Sequence, residues 1–251
     1  MAVLIAGVMV ETFGCATYPK GRMWVDPAFA SHAEVVAVKG RPNWQGIVGM
    51  WPLKAEMRIG VYRVVSLSRS AEAGYANAAT MFNGNRATSG TKQTFAFGID
   101  SGQPSWKCQC TSESWRQVQY HQRLDIHTDG AELSSEAGYV RRSRTLNCEL
   151  RDPANATATV LMTADPGSLQ AGSLVFGQEH WSIRPETRTE GQDRWHRTQG
   201  GWVVYNAAGV ELAAIDAVGP GLVVLGGSTD AATRELLVSL ATALLVVEQP
   251  D

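Results

Sequence analysis

The chain has 251 residues, 18% of them charged, and a formal net charge of -2. That length supports one large β domain or two small ones with an ample core. The near-neutral charge, without a basic stripe, excludes an electrostatic footprint for nucleic acid. The 25 Gly and 8 Trp, with many Thr, Ser and Val, favour strands and turns over helices.

Met1 to Met9 is apolar, and Val10, Glu11, Thr12, Phe13, Gly14 and Cys15 follow. A short apolar region ending in Gly14-Cys15 resembles the signal peptide of a bacterial lipoprotein. The resemblance implies cleavage before Cys15 by signal peptidase II and a lipid on that cysteine. Thr12 departs from the usual Leu or Val, and no Lys or Arg precedes the apolar run. A start codon further upstream would supply the positive region. The alternative is an N-terminal β-strand with a chance cysteine. Residues 1–14 are then signal-peptide-like, and 15–33, with Pro19, Gly21 and Pro27, form a tether.

The globular part is expected over 34–251 as a single domain. Glu34 to Val38 alternates weakly and reads as a strand. Gly40, Pro42, Gly46, Gly49 and Pro52 mark a loop, with Trp44 and Trp51 as packing anchors. Gly60 to Ser68 reads as a strand. Residues 70–92 are rich in Ala, Asn, Gly, Ser and Thr and read as a long loop. Phe95, Phe97 and Ile99 alternate with small residues, and Asp100-Ser101-Gly102 makes a turn. Trp106, Cys108 and Cys110 alternate with Lys107 and Gln109, so both cysteines fall on the apolar face of one strand. Residues 111–145 are polar with isolated anchors such as Trp115, Tyr120, Leu124 and Tyr139. Leu146, Cys148 and Leu150 alternate again, and Thr157 to Thr163 is a strand.

Leu174 to Phe176 and Trp181 to Ile183 read as short strands, the second ended by Pro185. Residues 186–199 form a charged loop. Trp202 to Asn206 and Val210 to Ile215 form a hairpin around Ala207-Ala208-Gly209. Leu222 to Leu225 is wholly apolar, as expected for a strand covered on both faces. After Gly226-Gly227 comes Asp230, a good N-cap, and a helix over 230–247. It is apolar nearly all round and so should be buried on most sides. Its apolar run of ~12 residues is shorter than the ~20 that cross a bilayer.

This order of elements, with Gly201-Trp202, Val204-Tyr205-Asn206 and Gly209 to Ala213 before the apolar strand and terminal helix, resembles the tubby C-terminal and LURP-one-like barrels. That likeness covers 60–247 and implies about twelve strands closed around a central helix. The expected class is therefore mainly β: a single antiparallel barrel-like or sandwich domain packed around a hydrophobic C-terminal helix. Tubby-like proteins bind phosphoinositides through basic residues. The nearest basic cluster here, Arg141-Arg142 with Arg144, reads as a solvated loop.

Of the cysteines, Cys108 and Cys110 lack a second pair or a nearby His for a zinc site. Export allows a disulfide between Cys148 and either Cys110 or Cys108, leaving one thiol free. His121 and His127 would share a face if both lay on one strand, but no carboxylate or cysteine completes a metal set, and they read better as polar loop histidines. Asp193, Trp195 and His196 share one loop that is better read as surface than as a catalytic site. No nucleophile elbow, P-loop or dinucleotide fingerprint is present. Neither a catalytic residue nor a cofactor is expected. The leading expectation is a bacterial envelope lipoprotein, held to the membrane through Cys15 and facing periplasm or exterior. Its β domain binds or supports a protein or envelope partner without catalysis. The alternatives are a lipid-binding, membrane-associated tubby-like protein and an envelope hydrolase.

Overall fold

The computed structural model describes residues 22–42, 56–72, 76–79, 86–102, 106–127, 130–164, 170–190 and 200–247. Alternation of apolar and polar residues drives the chain into strands. In Thr157–Ala164, Ala158, Val160 and Met162 are buried while Thr157, Thr159, Leu161 and Thr163 are exposed. Thirteen strands follow one another: β1 (Ala33–Lys39), β2 (Arg58–Ile59), β3 (Tyr62–Glu72), β4 (Ala76–Ala79), β5 (Arg86–Asp100), β6 (Lys107–His127), β7 (Gly130–Arg151), β8 (Thr157–Ala164), β9 (Ala171–Phe176), β10 (Glu179–Glu186), β11 (Gly201–Tyr205), β12 (Glu211–Asp216) and β13 (Leu222–Gly226). A four-residue helix α1 (Pro27–Ala30) precedes them, and α2 (Ala231–Val246) ends the fold.

Every strand pairs antiparallel with its neighbours. β3 and β4 both lie along β5 and share one place, so thirteen strands fill twelve positions. The first strand closes on the last, Ala33 opposite Gly226 and Ala37 opposite Leu222. The result is a closed antiparallel barrel, which leaves its wall without edges.

α2 fills the lumen. Asp230 caps it, accepting from the Thr233 N–H at 2.7 Å. Successive residues turn by ~100°, yet every residue from Leu236 to Val246 is buried, Ser239 and Thr242 included. Only a helix surrounded by wall satisfies that. The two buried hydroxyls are satisfied within the helix: Ser239 donates to the Glu235 carbonyl at 2.8 Å and Thr242 to that of Val238 at 2.9 Å. At the far end Arg41, at the exit of β1, donates to the carbonyl of Leu245 (2.8 Å), which the helix itself leaves unpaired, and to that of Ala217 after β12 (2.6 Å).

The wall is buried on both sides at β11, β12 and β13, as the apolar run Leu222 to Leu225 implied. Its outer cover is the segment 22–32, part of the expected tether. Met23 bridges Thr189, and Met23, Val25 and Phe29 pack over Ala214, Val224 and Leu222. Gly201 makes the fit possible: a Cβ there would lie 2.5 Å from the Met23 sulfur.

Three expectations need correction. Residues 70–92 are not one long loop, because β3 runs to Glu72, β4 covers 76–79 and β5 starts at Arg86. Residues 111–145 are likewise strand almost throughout, and Arg141, Arg142 and Arg144 lie in β7 rather than in a loop. In both cases backbone pairing with flanking strands holds the extension, and that needs no apolar side chains. Pro185 does not end its strand: β10 continues to Glu186, and beyond Ile183 it has no β9 partner, so a missing N–H is tolerated. Trp44 and Trp51 lie outside the described residues.

Candidate functional site: the lumen, the outer wall and the docked N-terminal segment

The inner faces of β6 and β7 carry the cysteines. Cys110 and Cys148 stand opposite each other and form a disulfide with Cα atoms 4.1 Å apart, one of the two pairings left open by the sequence. Cys108 is the free thiol, 3% exposed among core side chains. Burial pushes it up to about 12, against a smaller lowering from a hydrogen bond with Ser239 of α2. A thiol in that state is not a nucleophile near neutrality.

Among the described residues an ionisable cluster lies outside the barrel, where the N-terminal segment docks. Glu186 ends β10 and is 6% exposed. Burial raises its pKa, but hydrogen bonds offset this and hold it below the usual carboxylate range. Arg188 donates from Nε (2.9 Å), Nη2 (2.6 Å) and its backbone N–H (2.8 Å), and Thr187 donates from its backbone (3.0 Å). The Arg188 guanidinium also lies 3.6 Å over the Trp24 ring, a cation–π contact that clamps the segment to the wall. The Trp24 N–H donates to the Arg188 carbonyl at 2.9 Å.

Beside this clamp sits Glu211, opposite Tyr205 on the neighbouring strand. Its Oε1 is buried without a hydrogen-bond partner among the described residues. Burial, then the charges of Asp26 and Glu186, push its carboxyl up to about 7, and Arg188 pulls weakly the other way. Tyr205 is raised too, chiefly by burial and the Glu211 charge, with the Arg184 guanidinium 4.9 Å from its ring centroid. Asp26 caps α1, accepting from the Ala28 N–H at 2.8 Å. The cluster thus joins α1, β10, β11 and β12. No spacing in the sequence announces it, because its members lie on four elements.

No family model, curated protein or solved structure matches this chain.

Of the expected site residues, the described ones that meet are Cys110 and Cys148. Cys15 lies outside the described residues, as do Asp193, Trp195 and His196. His121 and His127 lie in strand β6 rather than in a loop, opposite Glu136 and Gly130, because the backbone pairing with β7 extends to that end. His180 is exposed on β10, and His32 is exposed before β1. Among the described residues no three His, Cys, Asp or Glu side chains group as metal ligands.

Proposed function

We propose that the chain is a membrane-leashed envelope lipoprotein whose barrel presents its outer surface to a protein or envelope partner. The observation that carries this reading is the docked segment. Residues 22–32 are pinned to the wall by Met23, Trp24 and Phe29. A lipid on Cys15 would be 22 − 15 = 7 residues away, a reach of at most ~25 Å. Such a leash sets which side of the barrel faces the bilayer. Two or three acyl chains hold such an anchor firmly, whereas one binds only marginally.

The filled lumen supports binding on the outside rather than within. α2 occupies the space in which the rival lipid-binding reading would seat an apolar ligand. The inert Cys108 gives the hydrolase alternative no thiol nucleophile.

The test is expression with an upstream export signal, followed by detergent-phase partitioning and mass spectrometry. The wild-type protein should enter the detergent phase with Cys15 acylated, and Cys15→Ser should remain aqueous or unprocessed. An aqueous wild-type protein with an unmodified Cys15 would end the proposal.

A further inference from the structure

β6 and β7 are far longer than the barrel needs. Along β6, pairing with β5 ends at Gln119 opposite Arg86. Along β7, pairing with β8 ends at Arg144 opposite Ala164, and β8 then turns back into β9, with Thr163 opposite Ala171. Beyond those points, among the described residues, β6 and β7 pair only with each other, out to His127 opposite Gly130. Residues 130–143 of β7 thus form an arm of roughly 45 Å at ~3.3 Å per residue. An isolated two-stranded ribbon is marginal in water. Among the described residues no further strand lies along its edges, and natural edges are usually guarded by Pro, Lys or shortness. Residues 130–143 contain neither Pro nor Lys.

The ladder fixes which backbone groups are free. The Ile99 N–H donates to the Trp106 carbonyl at 2.9 Å, so even-numbered β6 residues direct their backbone groups toward β5. The 4.1 Å Cα separation of Cys110 and Cys148 agrees, being that of a pair without mutual hydrogen bonds. Tyr120, Gln122, Leu124 and Ile126 therefore pair with Ala137, Ser135, Leu133 and Ala131 in the same way. The N–H and C=O groups of those four β7 residues are left for the open edge.

Charge is split along that edge. Glu132 and Glu136 lie toward the tip, and Arg141 and Arg142 toward the barrel. The register shift between Gln119 and Tyr120 leaves Gly138 without a β6 partner, one extra residue on β7.

We propose that the β7 edge pairs antiparallel with the same edge of a second copy, joining two arms into one four-stranded sheet. Pairing about Ala137 sets Arg141 of one copy opposite Ser134 of the other, since Gly138 absorbs one residue. The Arg141 position then lies diagonal to the Glu132 and Glu136 positions of the other copy. The two-fold axis makes every such contact twice, and the interface is closed and self-complementary. A parallel arrangement would set like charges together.

The test uses the full chain carrying Cys15→Ser, so that no lipid drives association, in sedimentation velocity over the micromolar range. The parent should be a dimer. Glu132→Lys with Glu136→Lys, and separately Arg141→Glu, should each weaken dimerisation about tenfold or more. An equimolar mixture of the two variants should recover the dimer, because both half-interfaces are then complementary, and a folding defect would not recover. Ser135→Pro, which removes an N–H from the open edge and none from the β6 ladder, should abolish the dimer with circular dichroism unchanged. The proposal is overturned by a parent that stays monomeric, by a mixture that stays monomeric, or by a monomer whose arm is protected from hydrogen exchange only on vesicles of phosphatidylglycerol.

Discussion

Replacing Leu240 by Ala tests the packing of the lumen. The side chain is fully buried, and Ala241 and Thr242, on other sides of α2, are as well. Loss of three carbons at ~0.8 kcal/mol each removes about 2.4 kcal/mol of transfer free energy. A cavity term adds to this in proportion to how little the surroundings relax. Here the surroundings are strands hydrogen-bonded on both sides in a closed wall, so relaxation is small. The expected loss lies in the upper part of the ~2.7–5.0 kcal/mol span seen for buried leucines. Leu161→Ala is the matched control, because Leu161 is 49% exposed on the outside of β8 and should change stability by about 0.5 kcal/mol or less. Urea unfolding, followed by tryptophan fluorescence and circular dichroism together, gives both values. If the two substitutions cost the same, α2 is not enclosed, and the account of the core is wrong.

Arg41→Met removes donors to the Leu245 and Ala217 carbonyls and should lower stability by roughly 1.5–3 kcal/mol in the same assay. Changing Cys110 and Cys148 to Ala opens a bridge between residues 38 apart and should cost about 4 kcal/mol from chain entropy; thiol titration of the denatured, lipidated wild type should find Cys108 alone. Glu211 is raised to about 7 in the folded state, so it binds more protons folded than unfolded. Its contribution to stability is full below the ordinary glutamate range and is lost as pH rises through 7. Thermal midpoints of the wild type should therefore fall between pH 5 and 8 relative to Glu211→Gln, and parallel pH profiles would refute the assignment.

The terminal helix was legible because an N-cap at Asp230 precedes a run with no polar face, a pattern only enclosure satisfies. The alternation of Cys108 with Cys110 and of Cys148 with its neighbours placed three thiols on one inner surface, although spacing could not choose the bridge. Register chose it, setting Cys110 opposite Cys148 and Cys108 opposite Leu150. The polar arm was illegible for the opposite reason. Its strands are held by backbone pairing, and side-chain hydropathy carries no record of that. The cluster of Glu186, Arg188 and Glu211 was hidden as well, since contacts between strands distant in sequence create it.

The order of elements has a consequence for biosynthesis. The seam that closes the wall joins residues 33–37 to residues 222–226, and the helix that fills it comes later still. Synthesis runs from the N-terminus at ~5–20 residues per second. Until residues 222–247 have been made, roughly 10–50 s after residue 1, the seam and the filling are incomplete. The growing sheet therefore has an uncovered apolar face until α2 exists. A message truncated within α2 yields a chain that no later event can complete, and its exposed inner face marks it for chaperones and proteases.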